Sequence, residues 1–469
     1  MKSLNSYATR FFAGISDSVA AVRYRLGEAT WADKLRINLT GVRGHSQAER
    51  NIWYLYVEVF WAAIFSAVFS FNATYALRLG ASNTMVGWLS SIPSLLAMFL
   101  MIPAARFLET KSNRGPWLYS SLFIGRAAFL GAVLIPWIFR SHQAEILVLL
   151  FILRTVPVTL FNTGFSPMLA DVVPARDRAR VFANRSIIIG ATAAVASFLA
   201  GKWFDVAANF SWAEFPANYQ LIYAVGTLGA VMSAVYVSKI KAPPTKVIAR
   251  RDRVQSRRVQ FKRPSLAQIR STLKTLTTEN RSFVRIVLNT LVFNLGAWLV
   301  MPLYTILFVK ELNATDGWIG MNSTLANLGV IAGYVIWQKA IRKLGDNRTL
   351  LLAVPLSASY AFLVSFFPNL NAILVWGVLI NLINPGVNLS HTNIFYQLCP
   401  EDKRASYMAF YSSAMNAGAF ICPMIGVALA GHVDIRLLLI IGGAIRLFGA
   451  LMFHFWKVDV NDLHSPAVG

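Results

Sequence analysis

The stretch RTVPVTLFNTGFSPMLADVVPARDRARVFANR, from Arg154 to Arg185, decides how the chain is read. An apolar run ends at Phe165. A short loop follows with Asp171, Pro174 and the arginines Arg176, Arg178 and Arg180, and a second apolar run opens near Val181. The pattern returns in the second half of the chain. There Asn388 stands for Asn162, Pro400 for Pro174 and Arg404 for Arg178, and the next apolar run opens at Tyr407. A helix, a Pro-x-x-x-Arg-Ala loop and another helix, made twice, indicate two similar halves. Proteins that move solutes through membranes are often built this way.

Composition agrees with a membrane setting. Only 14% of the 469 residues are charged and 56% are hydrophobic, with a mean hydropathy of +0.52. A soluble domain carries roughly 25% charged residues. The apolar residues lie in runs of about twenty, the length at which a helix crosses roughly 30 Å of hydrocarbon. The formal net charge of +23 raises a nucleic-acid reading. Most of that charge falls in loops on one side of the spans, so the positive-inside rule explains it better, and no nucleic-acid partner is expected. The two cysteines, Cys399 near a basic loop and Cys422 within a helix, are poor disulfide partners, and no metal-ligand spacing is present.

The expected organisation has five parts. Residues 1–50 form a basic arm, 51–238 a first bundle, 239–281 a basic linker, 282–457 a second bundle and 458–469 a tail. In the arm, Leu4, Tyr7, Phe11, Ile15, Val19, Val22 and Leu26 recur at helical spacing among Arg10, Arg23 and Arg25. That pattern suits an amphipathic helix lying on the anionic inner leaflet. Spans are expected near 52–78, 84–105, 116–139, 144–165, 183–202 and 218–238, then near 282–310, 316–338, 349–367, 370–392, 406–430 and 433–456. After Ser265 in the linker, Leu266, Ile269, Leu273 and Leu276 predict a further amphipathic helix. The repeat extends to the first helix pair of each half. Leu79-Gly80-Ala81-Ser82 leads to Gly87, and Leu312-Asn313-Ala314-Thr315 leads to Gly320 at the same spacing. Each half is thus an even set of spans in the same orientation, related by an axis along the membrane normal.

Twelve helices as six plus six, a long basic central loop and these repeated loops resemble the major facilitator superfamily over about residues 52–457. Pro302-Leu303-Tyr304, Phe308-Val309, Leu312, Ala314 and Gly320 look like that family's seventh-to-eighth helix region. Asp171-Val172-Val173-Pro174 with Arg178 looks like the loop after its fourth helix, and Leu150 with Arg154 matches the opening of its fourth-helix motif. The resemblance implies an all-α integral membrane protein of two six-helix bundles, with loop gating residues at Asp171, Arg178, Arg404 and Arg342. The family's signature loop after the second helix departs here. The Asp expected between Pro103 and Gly115 is absent, with Glu109 nearby, and Arg342 takes its place in the second half.

A charge at the bilayer centre costs about 2.5–3.5 kcal/mol on insertion scales, so each needs a reason. Arg154 lies about eleven residues from the basic end of its span, or roughly 16 Å at 1.5 Å per residue. The family's fourth helix lines the cavity, so Arg154 is a candidate contact for a solute or counter-ion; otherwise it is a structural arginine. Glu58 is the acid well inside a span. It is either a proton-carrying carboxyl or the structural partner of Arg126 or Arg154. Arg126 and Arg446 fall mid-span on helices that the resemblance makes peripheral, where structural pairing is expected. Asn381, Asn384 and Asn388 share one helical face around Pro385 and Gly386. They offer amide hydrogen bonds to a polar solute, or glue between helices. Asn162, matching Asn388 in the repeat, joins them, with Asn289, Asn294 and Asn416 beside Tyr411 as further solute-binding candidates. The aromatics Trp53, Tyr54, Tyr56, Phe60 and Trp61 read mostly as an interfacial belt.

The leading reading is a secondary transporter of a small organic solute, monomeric and needing no cofactor. It is expected in a plasma membrane, the inner membrane of a bacterium, with both termini cytoplasmic. No phosphate-cradling Gly-rich loop followed by Lys-Ser/Thr is evident. The second reading is a transporter-fold protein that serves as a sensor, assembly factor or lipid-handling partner. A membrane enzyme comes third, since His391 and His454 lack an acidic cluster. The loop charges predict that cysteine placed at Ser265 labels only after permeabilisation, whereas cysteine at Ala81 labels in intact cells. The opposite pattern overturns the topology.

Overall fold

The computed structural model describes residues 46–111, 113–174, 177–241, 281–399, 404–456 and 458. The helices expected in the arm and in the linker lie outside these residues, as do Arg176 and Pro400 of the repeated loops. The described elements include 12 helical segments long and apolar enough to cross a membrane. In lipid no water satisfies backbone N–H and C=O groups, so spans of this composition close their hydrogen bonds internally as helices.

The first bundle begins with α1 (Gln47–Phe69) and α2 (Asn72–Arg78), which together make one span. It continues with α3 (Asn83–Glu109), α4 (Gly115–Ile138), α5 (Gln143–Leu153) with α6 (Thr155–Val172), α7 (Arg178–Ala207) and α8 (Ala217–Ser238). The second bundle holds α9 (Arg281–Ile306), which runs on into a π turn at Leu307–Glu311, then α10 (Asp316–Leu344) and α11 (Asp346–Phe366). Its last helices are α12 (Leu370–Leu398), α13 (Arg404–Leu429) and α14 (Ile435–Phe455). Several helices outrun the expected spans at the end that carries Arg106, Arg178 and Arg342; this side is called the basic face below. The fourth span is interrupted at Arg154, where one continuous helix was expected. Pro157 explains it: a proline has no N–H to give to the carbonyl four residues back, and its ring crowds that turn.

The turns on the opposite face show the repeat in atomic form. Gly80 (φ 93°) and Asn313 (φ 51°) both take left-handed backbone at matching positions. Ser82 then accepts from the amide of Met85 at 3.2 Å, and Thr315 from that of Trp318 at 3.1 Å, each capping its helix. Ala81 is buried, so the exposed Thr84 is the better labelling position on this face.

The bundles meet along two seams, α7 against α10 and α3 against α13. Both use the repeated glycines. A Cβ on Gly201 would lie 2.9 Å from the carbonyl oxygen of Gly317 and 3.1 Å from Cα of Gly320, so α7 and α10 touch backbone to backbone. At the equivalent place on the other seam, Gly87 faces the Val427 side chain at 3.1 Å. Lipid tails are as apolar as leucine, so helices in a bilayer associate by close packing of small residues rather than by a hydrophobic drive.

The apolar core is divided unequally. On the opposite face one cluster runs through both bundles, from Phe71, Tyr75 and Phe204 to Leu303, Ile319 and Val427. On the basic face each bundle has its own cluster. One is built around Leu55, Leu118 and Val181, and the other around Phe283, Leu398 and Tyr407. Gly201→Ala forces the α7–α10 seam apart at its tightest point and is expected to cost about 1–3 kcal/mol, the usual cost of overpacking. Unfolding of the detergent-solubilised protein measures this, and wild-type stability would show that the seam is slack.

Candidate functional site

Glu58 on α1 is buried, with 3% of its surface exposed. Its main charge partner is Arg185 of α7, whose Nη2 lies 2.9 Å from Oε2 as an ion pair. Arg126 of α4 stands farther off, 3.9 Å from Oε1, and Ser233 of α8 donates its hydroxyl to Oε1 at 2.9 Å. A single carboxylate therefore ties α1, α4, α7 and α8 together. The two arginines are anchored elsewhere too. Arg185 donates to the carbonyl of Leu55, and Arg126 donates to that of Ala230 at 2.8 Å. Beside them Asn184 donates to the Tyr56 hydroxyl at 3.1 Å.

Arg154 is not part of this cluster. Its Nε donates to the carbonyl of Gly125 at 3.3 Å, and its guanidinium lies over the rings of Phe69 (4.9 Å), Phe129 (5.4 Å) and Phe65 (5.6 Å). Of the two partners expected for Glu58, Arg126 is a distant one and Arg154 is not one. The residue that does the pairing is Arg185, the last residue of the quoted stretch. It falls just inside the fifth expected span, where no role was expected of it.

The amides divide by what they bond. Asn289 is fully buried and spends its Nδ2 on the end of α14, at the carbonyls of Trp456 (3.2 Å) and Met452 (3.4 Å). That is helix-to-helix glue, while its Oδ1 is buried with no partner among the described residues. Asn381 and Asn416 each donate to a carbonyl of their own helix, Gly377 and Ser412, at 2.9 Å. Asn294 and Asn384 are half-buried, and Asn162 and Asn388 are exposed, one in each bundle. In the second bundle Thr290 and His391 Nε2 are 2.8 Å apart, with the imidazole against Phe395 and Tyr411. Arg446 lies over Phe293 at 4.5 Å and reaches Ser357 at 3.5 Å. Of the expected gating residues, Asp171, Arg178 and Arg342 are exposed on the basic face, where Arg178 donates to the carbonyl of Val173 at 3.1 Å. Arg404 opens α13, and its side chain lies outside what is described.

Two features lie between the bundles. On the opposite face Arg78 pairs with Asp316 at 3.2 Å and donates to the carbonyl of Ala314 at 3.0 Å, while Lys310 donates to Asn83 Oδ1 at 2.7 Å. Farther into the membrane a cavity of about 330 Å³ opens between α1, α7 and α10. Its polar lining comes from Ser66 and Ser70, from Ser197, and from Ser323 and Asn327, with the Phe69 ring beside them. None of these was singled out by sequence. Small residues at helical spacing, as in Ala193, Ser197 and Gly201, are a signal, but one that packing seams share.

Paired six-helix bundles, repeated in parallel and meeting around a polar cavity, define the architecture of two-bundle membrane carriers. The Major Facilitator Superfamily model matches residues 55–282 and 286–467, and the chain belongs to that superfamily. Solved structures of the same fold include a POT family transporter in complex with a thioalcohol-conjugated peptide. It is 11% identical, with a TM-score of 0.67, covering 90% of this chain and 98% of that one. The xylose transporter XylE from E. coli in an inward open conformation is also 11% identical, with a TM-score of 0.62 over 88% of this chain and 97% of XylE. A bacterial homolog of the human lysosomal transporter Spinster, inward-facing and unoccupied, is 12% identical with a TM-score of 0.62, covering 90% and 100%. Among curated relatives, synaptic vesicle glycoprotein 2C of Mus musculus is 23% identical over 156 residues, which is 33% of this chain and 20% of that protein.

Breaking a buried ion pair from one side strands the other charge and costs about 3–5 kcal/mol. Arg185→Ala is therefore expected to destabilise the protein by that order, and Glu58→Gln on the same background to restore much of it. Arg154→Ala strands no carboxylate and should cost less. A double-mutant cycle on unfolding midpoints reads these differences. An equal loss from Arg154→Ala, rescued equally by Glu58→Gln, would mean that Glu58 answers to Arg154.

Proposed function

We propose that this chain is a secondary transporter that moves a small organic solute by alternating access, with its basic face in the cytoplasm. The division of the core supports the reading most directly. Opposite the basic face the bundles share one apolar cluster, and at the basic face each keeps its own. This is a carrier sealed on the outside and parted toward the cytoplasm. Rocking one bundle on the other about the central cavity would exchange the two states.

The magnitudes show what holds the seal. Arg78 is about a third exposed in its ion pair with Asp316, and such pairs are worth roughly 0–1 kcal/mol. The shared core and the glycine seam hold the outer face; the charges only bias it. A weak bias suits a gate that must open, because a difference of a few kcal/mol still leaves the minor state populated. Within each bundle, by contrast, Glu58 and its partners are buried and resist separation. Glu58 is thus a brace of the first bundle, and its use as a proton carrier would require Arg185 to move away.

The Arg342 substitution and the missing Asp after the second helix leave the basic face without the family's expected latch, consistent with a face that stands open. Reconstituted vesicles test the function directly. Saturable, counterflow-stimulated uptake is expected for some small solute. Its absence across a broad panel, with folded protein, would favour a transporter-fold sensor or assembly factor. The gate has its own test. Arg78→Ala is expected to raise labelling of a cysteine at Ser70 from outside by about fivefold, the population shift of roughly 1 kcal/mol. Unchanged labelling would show that the pair does not contribute to closure.

A further inference from the structure

We infer that the cavity between α1, α7 and α10 is the seat of the solute and that it selects a small, neutral, hydroxyl-rich molecule. The inference rests on the transport reading for its purpose, but its chemistry stands on the lining alone.

Ser197 is the first observation. It is fully buried on α7, faces the cavity, and its hydroxyl has no hydrogen-bond partner among the described residues. Hydroxyls inside helices commonly turn back to the carbonyl four residues earlier. Thr163, Thr227 and Thr324 do so here, at 2.7, 2.7 and 2.8 Å. Ser197 does not. A buried polar group left unpaired costs about 1–3 kcal/mol, so it points to a partner supplied from outside the chain.

The remaining groups say what that partner is. Ser70 and Ser323 face each other across the seam at 3.5 Å, beyond the 2.5–3.0 Å or so of a good O–H···O bond; Ser70 gives its proton to the carbonyl of Ala67 at 2.6 Å and so offers a solute an acceptor. Asn327 gives its Nδ2 to the carbonyl of Ser323 at 2.9 Å, which leaves its Oδ1 as an acceptor. Hydroxyls both donate and accept. A set of serines with one amide oxygen therefore matches a ligand whose groups also do both, meaning alcohols before acids or amines. Among the described residues no charged side chain lines the cavity. Arg154 stacks on Phe69, which does line it, but is not itself in the lining. Glu58 is already held by Arg185 and Ser233. An ionised solute would give up its hydration here for hydroxyls without a counter-charge, which costs several kcal/mol. A neutral one loses little, because each hydrogen bond to water is replaced. The Phe69 ring offers a flat apolar surface to the carbon side of such a molecule. A volume of about 330 Å³ sits at the low end of ligand pockets, roughly 300–1,000 Å³.

Both bundles contribute polar groups, so a solute seated here bridges the moving parts. The test uses the full chain in lipid nanodiscs and follows its unfolding midpoint with D-glucose, myo-inositol and glycerol, against succinate and lysine as charged probes. At least one neutral probe is expected to raise the midpoint with concentration, as ligands of the folded state do, while the charged probes do not. Ser197→Ala preserves the packing and should weaken the response about tenfold in concentration. Ser197→Leu, which fills the space, should abolish it, and Ser238→Leu on the surface should leave it intact. A response confined to charged probes, a response unaffected by Ser197→Ala, or none from the neutral probes would each overturn the inference. Flux in vesicles keeps the two readings apart. Saturable transport of a charged solute, untouched by Ser197→Ala, leaves the carrier standing and removes this seat. Neutral binding that Ser197→Ala weakens, with no flux, keeps the seat and removes the carrier.

Discussion

Where the two bundles meet at α7 and α10, the contact is between main chains. Gly201 meets Gly317 and Gly320 with no side chain between them, and much of the architecture follows from that contact. It fixes how near α7 and α10 come, and so places the serines of one helix within reach of those of the other. It also acts near the end of both helices that lies opposite the basic face, and farther down the same seam Gly190 faces Ile331. The cavity therefore sits just below the point of contact. A methyl group at the seam would lift the bundles apart where the seal has to be made, and no other residue type could replace these glycines without that displacement.

Below the seam, each bundle is organised to stay whole. The first gathers its buried charges around Glu58, so that four helices share one carboxylate. The second has no comparable acid among its described residues. It uses neutral and aromatic contacts instead: Thr290 with His391, Asn289 with the end of α14, and Arg446 over Phe293. In both cases the ion pairs and amide bonds named are internal; between the bundles, among the described residues, stand the partly exposed Arg78 and Lys310 contacts and a buried hydrogen bond, from the Thr324 hydroxyl to the carbonyl of Ala194. Rocking then breaks little that is expensive, because the costly interactions travel within the moving bodies.

The large-scale plan was legible in the chain. Span positions followed from apolar length, and the repeat of Leu79–Ser82 in Leu312–Thr315 foretold two turns that take the same backbone and cap their helices the same way. The interruption at Arg154 was there to be read in Pro157. What the sequence could not supply was rotation about the helix axis. Position along a span placed Arg154 mid-membrane; the direction of its side chain, onto three phenylalanines rather than toward Glu58, depends on packing. Arg185 was missed on the same account, since its place just inside the fifth expected span does not show that it turns inward. Asn289 and Ser197 show the same limit. An amide or hydroxyl in a span is equally suited to glue or ligand, and only its neighbours decide which.

The closure opposite the basic face has a further property. Its two polar clasps occupy related places in the repeat: the end of the first span in each half reaches the first turn of the second span in the other. One clasp is Arg78 on the carboxylate of Asp316 and the other is Lys310 on the neutral amide of Asn83. Gene duplication would have made them equals, yet only one joins opposite charges. Dissolved salt screens the attraction between ions at an exposed site far more than a hydrogen bond to an amide. The two sides of the closure therefore respond differently to the surrounding medium. As ionic strength rises, the Arg78 side loosens first while the Lys310 side holds, so this face would part as a hinge with its pin at Lys310 and Asn83, and not as two plates lifting evenly.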